Sequence, residues 1–133
     1  MERARPRMNA RRRKPRRAGA PRVLVVDRDR LMRWAVETFL ERWFDVVTLD
    51  DPRAAERRCH KTAFDAVVVS EDYPSVARSA IAHAARELNP TVRVVSTFAR
   101  PTASRGSSDE IRLEKPFELS ELAQKLGVKS GPE

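Results

Sequence analysis

Short apolar runs, separated by longer amphipathic stretches, constrain the fold of this 133-residue chain more than any other feature. Their apolar residues are consecutive instead of alternating, which is typical of strands that are covered on both faces. A shorter run before the last amphipathic stretch predicts one more strand. The runs are "RVLVVD" at 22–27, "DVVTL" at 45–49, "AVVV" at 66–69, "TVRVVS" at 91–96 and "IRLEKPF" at 111–117.

The stretches between the runs have helical periodicity. Apolar residues recur at helical spacing from Leu31 to Trp43, so a helix is predicted there. We expect Trp34 and Trp43 to be core or helix-cover residues, with partner hot spots as the alternative. The other helices are predicted from Pro52, after an N-cap at Asp51, to about Cys59, over the stripe from Val76 to Leu88, and from Leu119 to a C-cap at Gly127.

Strands that alternate with helices imply parallel pairing through right-handed crossovers. The predicted fold class is therefore α/β, an open, doubly wound, parallel five-stranded sheet. The pattern is lost between Ala99 and Asp109, so the fourth helix is expected to be degenerate or missing. Polar residues that follow strands collect at the carboxyl edge of such a sheet. Those that qualify here are Asp27, Arg28, Ser70, Ser96 and Lys115.

The net charge of +8 is distributed unevenly along the chain. Residues 1–22 hold ten arginines and lysines and one acid, and the remainder holds 17 bases and 18 acids. Because the arm has few apolar residues, we expect a disordered basic arm at 1–21, a folded domain at 22–127 and a disordered tail at 128–133. The arm residues that could bind nucleic-acid phosphates are Arg11, Arg12, Arg13, Lys14, Arg16 and Arg17.

Membrane and secretory functions are disfavoured by the composition. No apolar run approaches the about 20 residues that span a bilayer, and the basic arm is followed by only the short run "VLVV", unlike a signal peptide. The single cysteine, Cys59, cannot form an internal disulfide and has no neighbours at zinc-ligand spacing. We therefore expect a cytoplasmic protein without membrane contact, in which Cys59 is a small, buried or half-buried helix residue.

Three motifs resemble the receiver domain of bacterial response regulators. They are "VLVVD" at 23–27, "FDAVVV" at 64–69 followed by Pro74, and "KPF" at 115–117 with "ELSEL" behind it. The resemblance covers nearly all of residues 22–127. It implies a flavodoxin-like fold and a role in two-component phosphorelay signalling, with a protein partner and no small-molecule substrate.

The same resemblance implies roles for the strand-end residues. In working receivers, two acids after the first strand and an aspartate after the third hold Mg²⁺, and that aspartate accepts the phosphoryl group. A hydroxyl after the fourth strand and a lysine after the fifth bind the phosphoryl oxygens. By position, Asp27 matches the first acid, Ser96 the hydroxyl and Lys115 the lysine. Two positions depart from the pattern, because Arg28 replaces the second acid and Ser70 replaces the phosphoacceptor.

These substitutions change the charge of the predicted site. A serine hydroxyl is neutral and needs an adjacent base before it can attack a phosphoryl donor. Asp27, Arg28 and Lys115 sum to a charge of +1, which would repel a divalent cation. We therefore expect Mg²⁺ binding to be lost, with no metal or cofactor retained. Either Arg28 or Lys115 is expected to pair with Asp27, unless Arg28 extends into solvent.

Three functions are compatible with this pattern. The favoured one is a degenerate receiver-like module that acts by protein–protein interaction and is not an enzyme. A second is a phosphoacceptor domain that uses Asp72, Glu71 or Asp29 in place of the missing acid. A third is a nucleic-acid-associated protein that binds through its arginine-rich arm.

Overall fold

The computed structural model describes residues 19–99 and 111–128. Five strands and four helices are found in this part of the chain. The strands are β1 (Arg22–Val26), β2 (Asp45–Leu49), β3 (Ala66–Ser70), β4 (Arg93–Phe98) and β5 (Ile111–Glu114). The helices are α1 (Arg30–Leu40), α2 (Pro52–Lys61), α3 (Ser75–Leu88) and α4 (Leu119–Lys125).

The strands form one parallel sheet in the order β2-β1-β3-β4-β5. This confirms the predicted fold class. The main difference in strand bounds concerns β4, which begins at Arg93 and continues through Thr97 to Phe98, beyond the predicted end at Ser96. The predicted disordered arm and tail, and the predicted degenerate fourth helix, fall mostly on 1–18, 129–133 and 100–110, which lie outside the described residues.

The core has two parts, one on each face of the sheet. Consecutive apolar residues supply both, because successive side chains of a strand point to opposite faces. In β1, Val23 and Val25 pack under α1 and α4, whereas Leu24 and Val26 pack under α2 and α3. The second part also contains Cys59, which is fully buried as predicted.

The folded part extends slightly beyond the boundary predicted at residue 127. Gly127 has a φ of 97°, a left-handed conformation that glycine adopts without steric cost. The turn directs Val128 back, where its N–H donates to the Ala123 carbonyl at 2.9 Å and its side chain packs against the core under α1 and α4. The predicted role of Gly127 at the end of the last helix is therefore confirmed.

The buried face of α1 differs from the expectation. Val36 and Leu40 are fully buried, whereas Leu31 is 71% exposed and Trp34 is 61% exposed. The prediction that Trp34 is a core or helix-cover residue is therefore wrong, while Trp43 does pack against the core cluster. Apolar residues occupy so much of the circumference of α1 that its sequence alone does not show which of them are left outside.

The helix ends follow from local capping. Asp51 caps α2 by accepting a hydrogen bond from the Ala54 N–H at 3.2 Å, as its position before Pro52 predicts. Asp29 caps α1 in the same way, with acceptor contacts to the N–H groups of Leu31 and Met32. No helix among the described residues is both long enough and apolar enough to cross a membrane.

Candidate functional site

Asp27 and Ser70 come together at the carboxyl edge of the sheet. Asp27 directly follows β1, and Ser70 is the last residue of β3. The residues before them, Val26 and Val69, are partners in the register of the two strands. The side chains of Asp27 and Ser70 therefore emerge on neighbouring strands, on the face that carries Val25 and α1. Asp27 is 3% exposed and Ser70 is 1% exposed. The sequence prediction that these two residues are neighbours is confirmed.

Lys115 reaches the same point from the end of β5. Its Nζ atom donates a hydrogen bond to Asp27 Oδ2 at 3.1 Å. The other carboxylate oxygen of Asp27, Oδ1, accepts from the Asp29 N–H at 2.9 Å. Both oxygens of this buried carboxylate are therefore engaged by donors of the chain itself. Of the two cations expected to pair with Asp27, Lys115 is the one that does so.

Arg28 turns away from Asp27 and covers Tyr73. Its guanidinium carbon lies 4.7 Å from the centroid of the Tyr73 ring, a distance at which a cation is attracted to an aromatic face. Tyr73 is itself buried, and its hydroxyl donates to the carbonyl of Asp50 at 2.8 Å. Burial, followed by the negative charge of Asp27, raises the pKa of Tyr73, and Arg28 partly opposes this. Arg28 is thus exposed but held on an aromatic surface.

Ser70 is held by the loop that follows it. Its Oγ atom accepts a hydrogen bond from the Asp72 N–H at 3.1 Å. The loop holds no histidine that could activate the Ser70 hydroxyl as a general base. The arrangement is that of a strand-end hydroxyl that supports a turn.

The hydroxyl beside Ser70 is that of Thr97, and Ser96 does not share this face. In the register of β3 and β4, Ser70 lies opposite Thr97. Val95 packs under α1 and α4, so alternation places Thr97 on that face and Ser96 on the opposite one. The predicted position of the site hydroxyl is therefore wrong by one residue. Thr97 Oγ1 is buried and has no hydrogen-bond partner among the described residues.

The acids that could replace the missing one are already engaged in two of three cases. Asp29 caps α1 through its side chain. Glu71 forms a two-point ion pair with Arg112 of β5, with donor–acceptor distances of 2.9 and 3.0 Å, and its side chain is only 7% exposed. Arg112 also lies 4.1 Å over the ring of Phe98. Asp72 remains as an exposed acid in the loop.

The donor set does not fit a magnesium ion. Mg²⁺ is bound by hard oxygen ligands, usually with one or two carboxylates. The described residues contain no group of three His, Cys, Asp or Glu side chains placed to hold a metal. At the strand edge Asp27 already has an ammonium group at contact distance, and Glu71 is held by the guanidinium group of Arg112. A groove of about 550 Å³, lined in part by Trp43 and Arg93, lies at the amino edge and does not include these residues.

Several contacts of this site were not predicted from the sequence. Arg33 donates to the carbonyl oxygens of Asp27 and Arg28 at 2.8 and 3.1 Å and so fixes the loop after β1. Tyr73 and Arg112 are the other two residues missed. The adjacent hydroxyls of Ser96 and Thr97 are the sequence signal from which Thr97 could have been considered as the site hydroxyl. Nothing in the sequence joins Glu71 to Arg112, which lies 41 positions away.

Comparison with known proteins agrees with the topology. No protein-family model matches the chain, and no curated protein matches it. Among solved structures, a response regulator receiver protein from Sinorhizobium medicae matches with a TM-score of 0.70 and 24% identity, over 83% of this chain and 94% of that one. Chemotaxis protein CheY4 from Vibrio cholerae has a TM-score of 0.68 and 22% identity, over 81% and 97%.

A third match is the receiver domain of a sensor histidine kinase from Pseudomonas aeruginosa, with magnesium coordinated in its active site cleft. The TM-score is 0.64 at 19% identity, over 81% of this chain and 95% of that one. This chain has the receiver fold. The receiver fold brings Asp27, Ser70, Thr97 and Lys115 to one edge of the sheet, and what these residues do there is a question of their own chemistry.

Proposed function

We propose that this chain is a degenerate receiver-like signalling module of the cytoplasm, which acts by binding a protein partner and is not phosphorylated on an aspartate. One observation carries the proposal, the 3.1 Å contact between Lys115 Nζ and Asp27 Oδ2. A metal ion would have to displace this ammonium group and would then find a single carboxylate. Ser70, at the acceptor position, offers a neutral hydroxyl that is buried and hydrogen-bonded to the loop.

The alternative of an unconventional phosphoacceptor has few groups left to use. Asp29 is committed to capping α1, and moving it would remove the N-terminal cap of that helix. Glu71 would have to break two charge-assisted hydrogen bonds to Arg112. Asp72 is exposed, but its backbone N–H holds Ser70 and it lies two residues beyond the strand end. These contacts favour the interaction module over the phosphoacceptor.

The test is incubation of the full chain with acetyl phosphate and Mg²⁺, followed by intact-mass measurement. We expect no adduct with the mass of one phosphoryl group. A stoichiometric adduct on the unmodified chain would overturn the proposal, and its position would identify the acid that is used. Since receiver partners can also be bound without phosphorylation, partner binding is expected to be the same with and without the phosphodonor.

A gain-of-function variant sharpens the test. Ser70→Asp combined with Arg28→Asp restores the two missing acids, and we expect this double variant to acquire the adduct. The matched control is Ser79→Asp combined with Arg57→Asp, which makes the same charge change at two exposed helix positions and should acquire none. If the restored variant folds but remains unmodified, the loss of acids does not explain the inactivity of the site.

A second candidate function rests on the charge of the arm. Residues 1–22 carry ten basic residues and one acid, whereas the rest of the chain is nearly neutral. Binding to phosphate backbones through this arm would be strong at low salt and would weaken steeply as salt rises. The test is retention on DNA of the full chain and of a chain lacking residues 1–20. Retention that survives the deletion would contradict the arm hypothesis.

A further inference from the structure

The groove at the amino edge of the sheet is lined in part by apolar residues that follow two helices. Its volume is about 550 Å³, and small-molecule sites usually have volumes of about 300 to 1,000 Å³. Trp43 and Phe44 follow α1, and Leu126 and Val128 follow α4. Phe44 and Leu126 are buried, and Trp43 and Val128 pack against the same core cluster. The apolar part of the lining is therefore held in place by the core.

The groove also contains two side chains of opposite charge. Arg93 is the first residue of β4, and Asp65 directly precedes β3. The Arg93 N–H donates to the Asp65 carbonyl at 3.0 Å, so the two residues are neighbours. Within the described part of the chain, their charged groups nevertheless form no ion pair with each other. Since both residues are exposed, each charge is accessible to a ligand in the groove.

The chain orients both charged groups and leaves them with further bonding capacity. Asp65 Oδ2 accepts from the Arg22 N–H at 2.8 Å, and a carboxylate can accept several more hydrogen bonds. Arg93 Nη1 donates to the Lys125 carbonyl at 3.1 Å, and a guanidinium group has five N–H donors in all. The guanidinium group lies 3.5 to 3.6 Å from the position that a Cβ atom would take at Gly127. It therefore rests against the turn that ends α4.

We propose that this groove binds a small zwitterion, an amino acid with an apolar side chain. The ligand carboxylate accepts from the Arg93 guanidinium group, its ammonium group donates to Asp65, and its side chain contacts Trp43. A plain carboxylate would face the negative charge of Asp65, and a plain amine would face the positive charge of Arg93. Only a ligand with both charges offsets both. The apolar lining favours a ligand that also has a hydrocarbon side chain.

The exposure of the two charged residues sets the expected affinity. Ion pairs of exposed groups are screened by water and salt, and a ligand as small as an amino acid offers few contacts. The dissociation constant is therefore expected to be about 1 mM. The groove lies at the opposite edge of the sheet from Asp27 and Lys115, so this inference does not depend on the proposed function.

The fluorescence of Trp43 gives a direct test. Trp34→Phe leaves Trp43 as the only tryptophan of the chain. Its emission in the otherwise unmodified full chain would be followed during titration with L-leucine to tens of millimolar, and a saturable change is expected. N-acetyl-L-leucine lacks the ammonium group, L-leucinamide lacks the carboxylate and glycine lacks the side chain. Each of these three is expected to bind at least about tenfold more weakly than L-leucine.

Four results would overturn the proposal. A flat response to L-leucine is the first, and it is also the result if another segment of the chain or a second copy fills the groove. Binding of N-acetyl-L-leucine or of L-leucinamide as tight as that of L-leucine would mean that one of the two charges is not recognised. Equal binding of glycine would mean that the apolar lining is not used. Tighter binding of the dipeptide leucyl-leucine would exclude an amino acid as the preferred ligand.

Two substitutions test the two charges separately. Asp65→Asn retains an oxygen that can accept from the Arg22 N–H, and it should bind N-acetyl-L-leucine about as well as L-leucine. Arg93→Gln should bind L-leucinamide about as well as L-leucine. The matched controls are Glu87→Gln and Arg57→Gln, at exposed positions of α3 and α2, and both should keep the preference for L-leucine.

The order of preference among the ligands separates loss of the site from loss of the fold. A variant with a damaged fold would bind all ligands more weakly, whereas removal of one charge changes which ligand is preferred. A uniform loss for all ligands in Asp65→Asn and Arg93→Gln would show that these residues act on the fold only, and it would overturn the proposal. Unchanged preferences in both variants would overturn it as well.

Discussion

Asp27 and Glu71 lie at the same edge of the sheet and are almost inaccessible to solvent, yet their cationic partners hold them differently. Lys115 contacts Asp27 at a single oxygen, while the Asp29 amide holds the other. Arg112 holds both oxygens of Glu71 through two parallel hydrogen bonds and also covers Phe98. An ammonium group is a point charge on a flexible chain, whereas a guanidinium group is a planar fork of fixed geometry.

This difference separates two roles of a buried ion pair. Lys115 balances the negative charge of the buried Asp27 carboxylate. We therefore expect that two added acids beside Asp27 would allow a metal ion to bind there. The Glu71–Arg112 contact ties the loop after β3 to β5 and leaves Glu71 unavailable as a ligand or acceptor. We therefore expect substitution to change the chemistry of the first region, whereas the second pair has a structural role.

The largest effect is expected from Lys115→Met. The substitution leaves Asp27 buried without its ammonium partner, and breaking a buried pair in this way costs about 3 kcal/mol in the free energy of unfolding. Asp27→Asn combined with Lys115→Met should recover most of that loss, because no buried charge then remains. Urea unfolding of the single and double variants measures both. If the double variant is no more stable than Lys115→Met alone, the cost does not come from an uncompensated Asp27.

Removal of the second pair should cost less. Arg112→Met leaves the Glu71 carboxylate without its cationic partner. Because the Arg112 side chain is 30% exposed, solvent screens the pair, and we expect a loss of about 2 kcal/mol in the free energy of unfolding. Arg57→Met is the control at an exposed position and should change the free energy of unfolding by less than about 0.5 kcal/mol. Equal losses for Arg112→Met and its control Arg57→Met would mean that the two-point contact with Glu71 contributes little.

Tyr73 gives a smaller effect with a defined pH dependence. Tyr73→Phe removes the hydrogen bond to the Asp50 carbonyl and should cost about 1 kcal/mol. Because the folded-state pKa of Tyr73 is raised, its stabilising contribution is complete below pH about 10 and is lost as pH rises through the raised pKa.

The pH dependence needs a control for the other buried acid. The pKa of Cys59 is raised to about 11, chiefly by burial, so it contributes a loss of stability in the same alkaline range. The difference between the unmodified chain and Tyr73→Phe cancels this contribution. That difference is expected to shrink above pH about 10. A difference that stays constant into strong alkali would contradict the raised pKa of Tyr73.

The smallest change is expected at Thr97, and it has the opposite sign. The Thr97 hydroxyl is buried without a partner among the described residues, so Thr97→Val should be neutral or should stabilise the fold by about 0.5 to 1 kcal/mol. Ser70→Ala, the matched comparison on the adjacent strand, should destabilise it, because the Asp72 N–H loses its acceptor. A clear destabilisation by Thr97→Val would mean that its hydroxyl has a partner, such as an ordered water.

The fold could be predicted because each strand has its own local signal. Runs of consecutive branched residues, together with Asp51, Pro52 and Gly127 at the helix ends, are sufficient to fix the order of the elements. The same continuous runs do not show which face of the sheet each residue of a strand occupies. In "VVST", where apolar residues precede both hydroxyls, nothing shows which face Ser96 or Thr97 occupies until the strand is paired.

Contacts between distant residues lie beyond what such patterns contain. The sequence placed Asp27, Ser70 and Lys115 at one edge because parallel strands share a direction, and it predicted that one of two cations would pair with Asp27. The choice of Lys115 over Arg28 depends on where the ring of Tyr73 lies, and that follows from three-dimensional packing. The exposure of Trp34 has the same origin, since it is decided by which side of α1 meets the sheet.

Titration with Mg²⁺ tests the central claim most directly. Amide NMR signals of the full chain at Asp27, Arg28 and Ser70 would be followed from micromolar to millimolar Mg²⁺, beside Ser70→Asp combined with Arg28→Asp. The account predicts no saturable change in the unmodified chain, because the Lys115 ammonium group already contacts the Asp27 carboxylate. It predicts a saturable change in the double variant. Saturable shifts of these signals in the unmodified chain would contradict it.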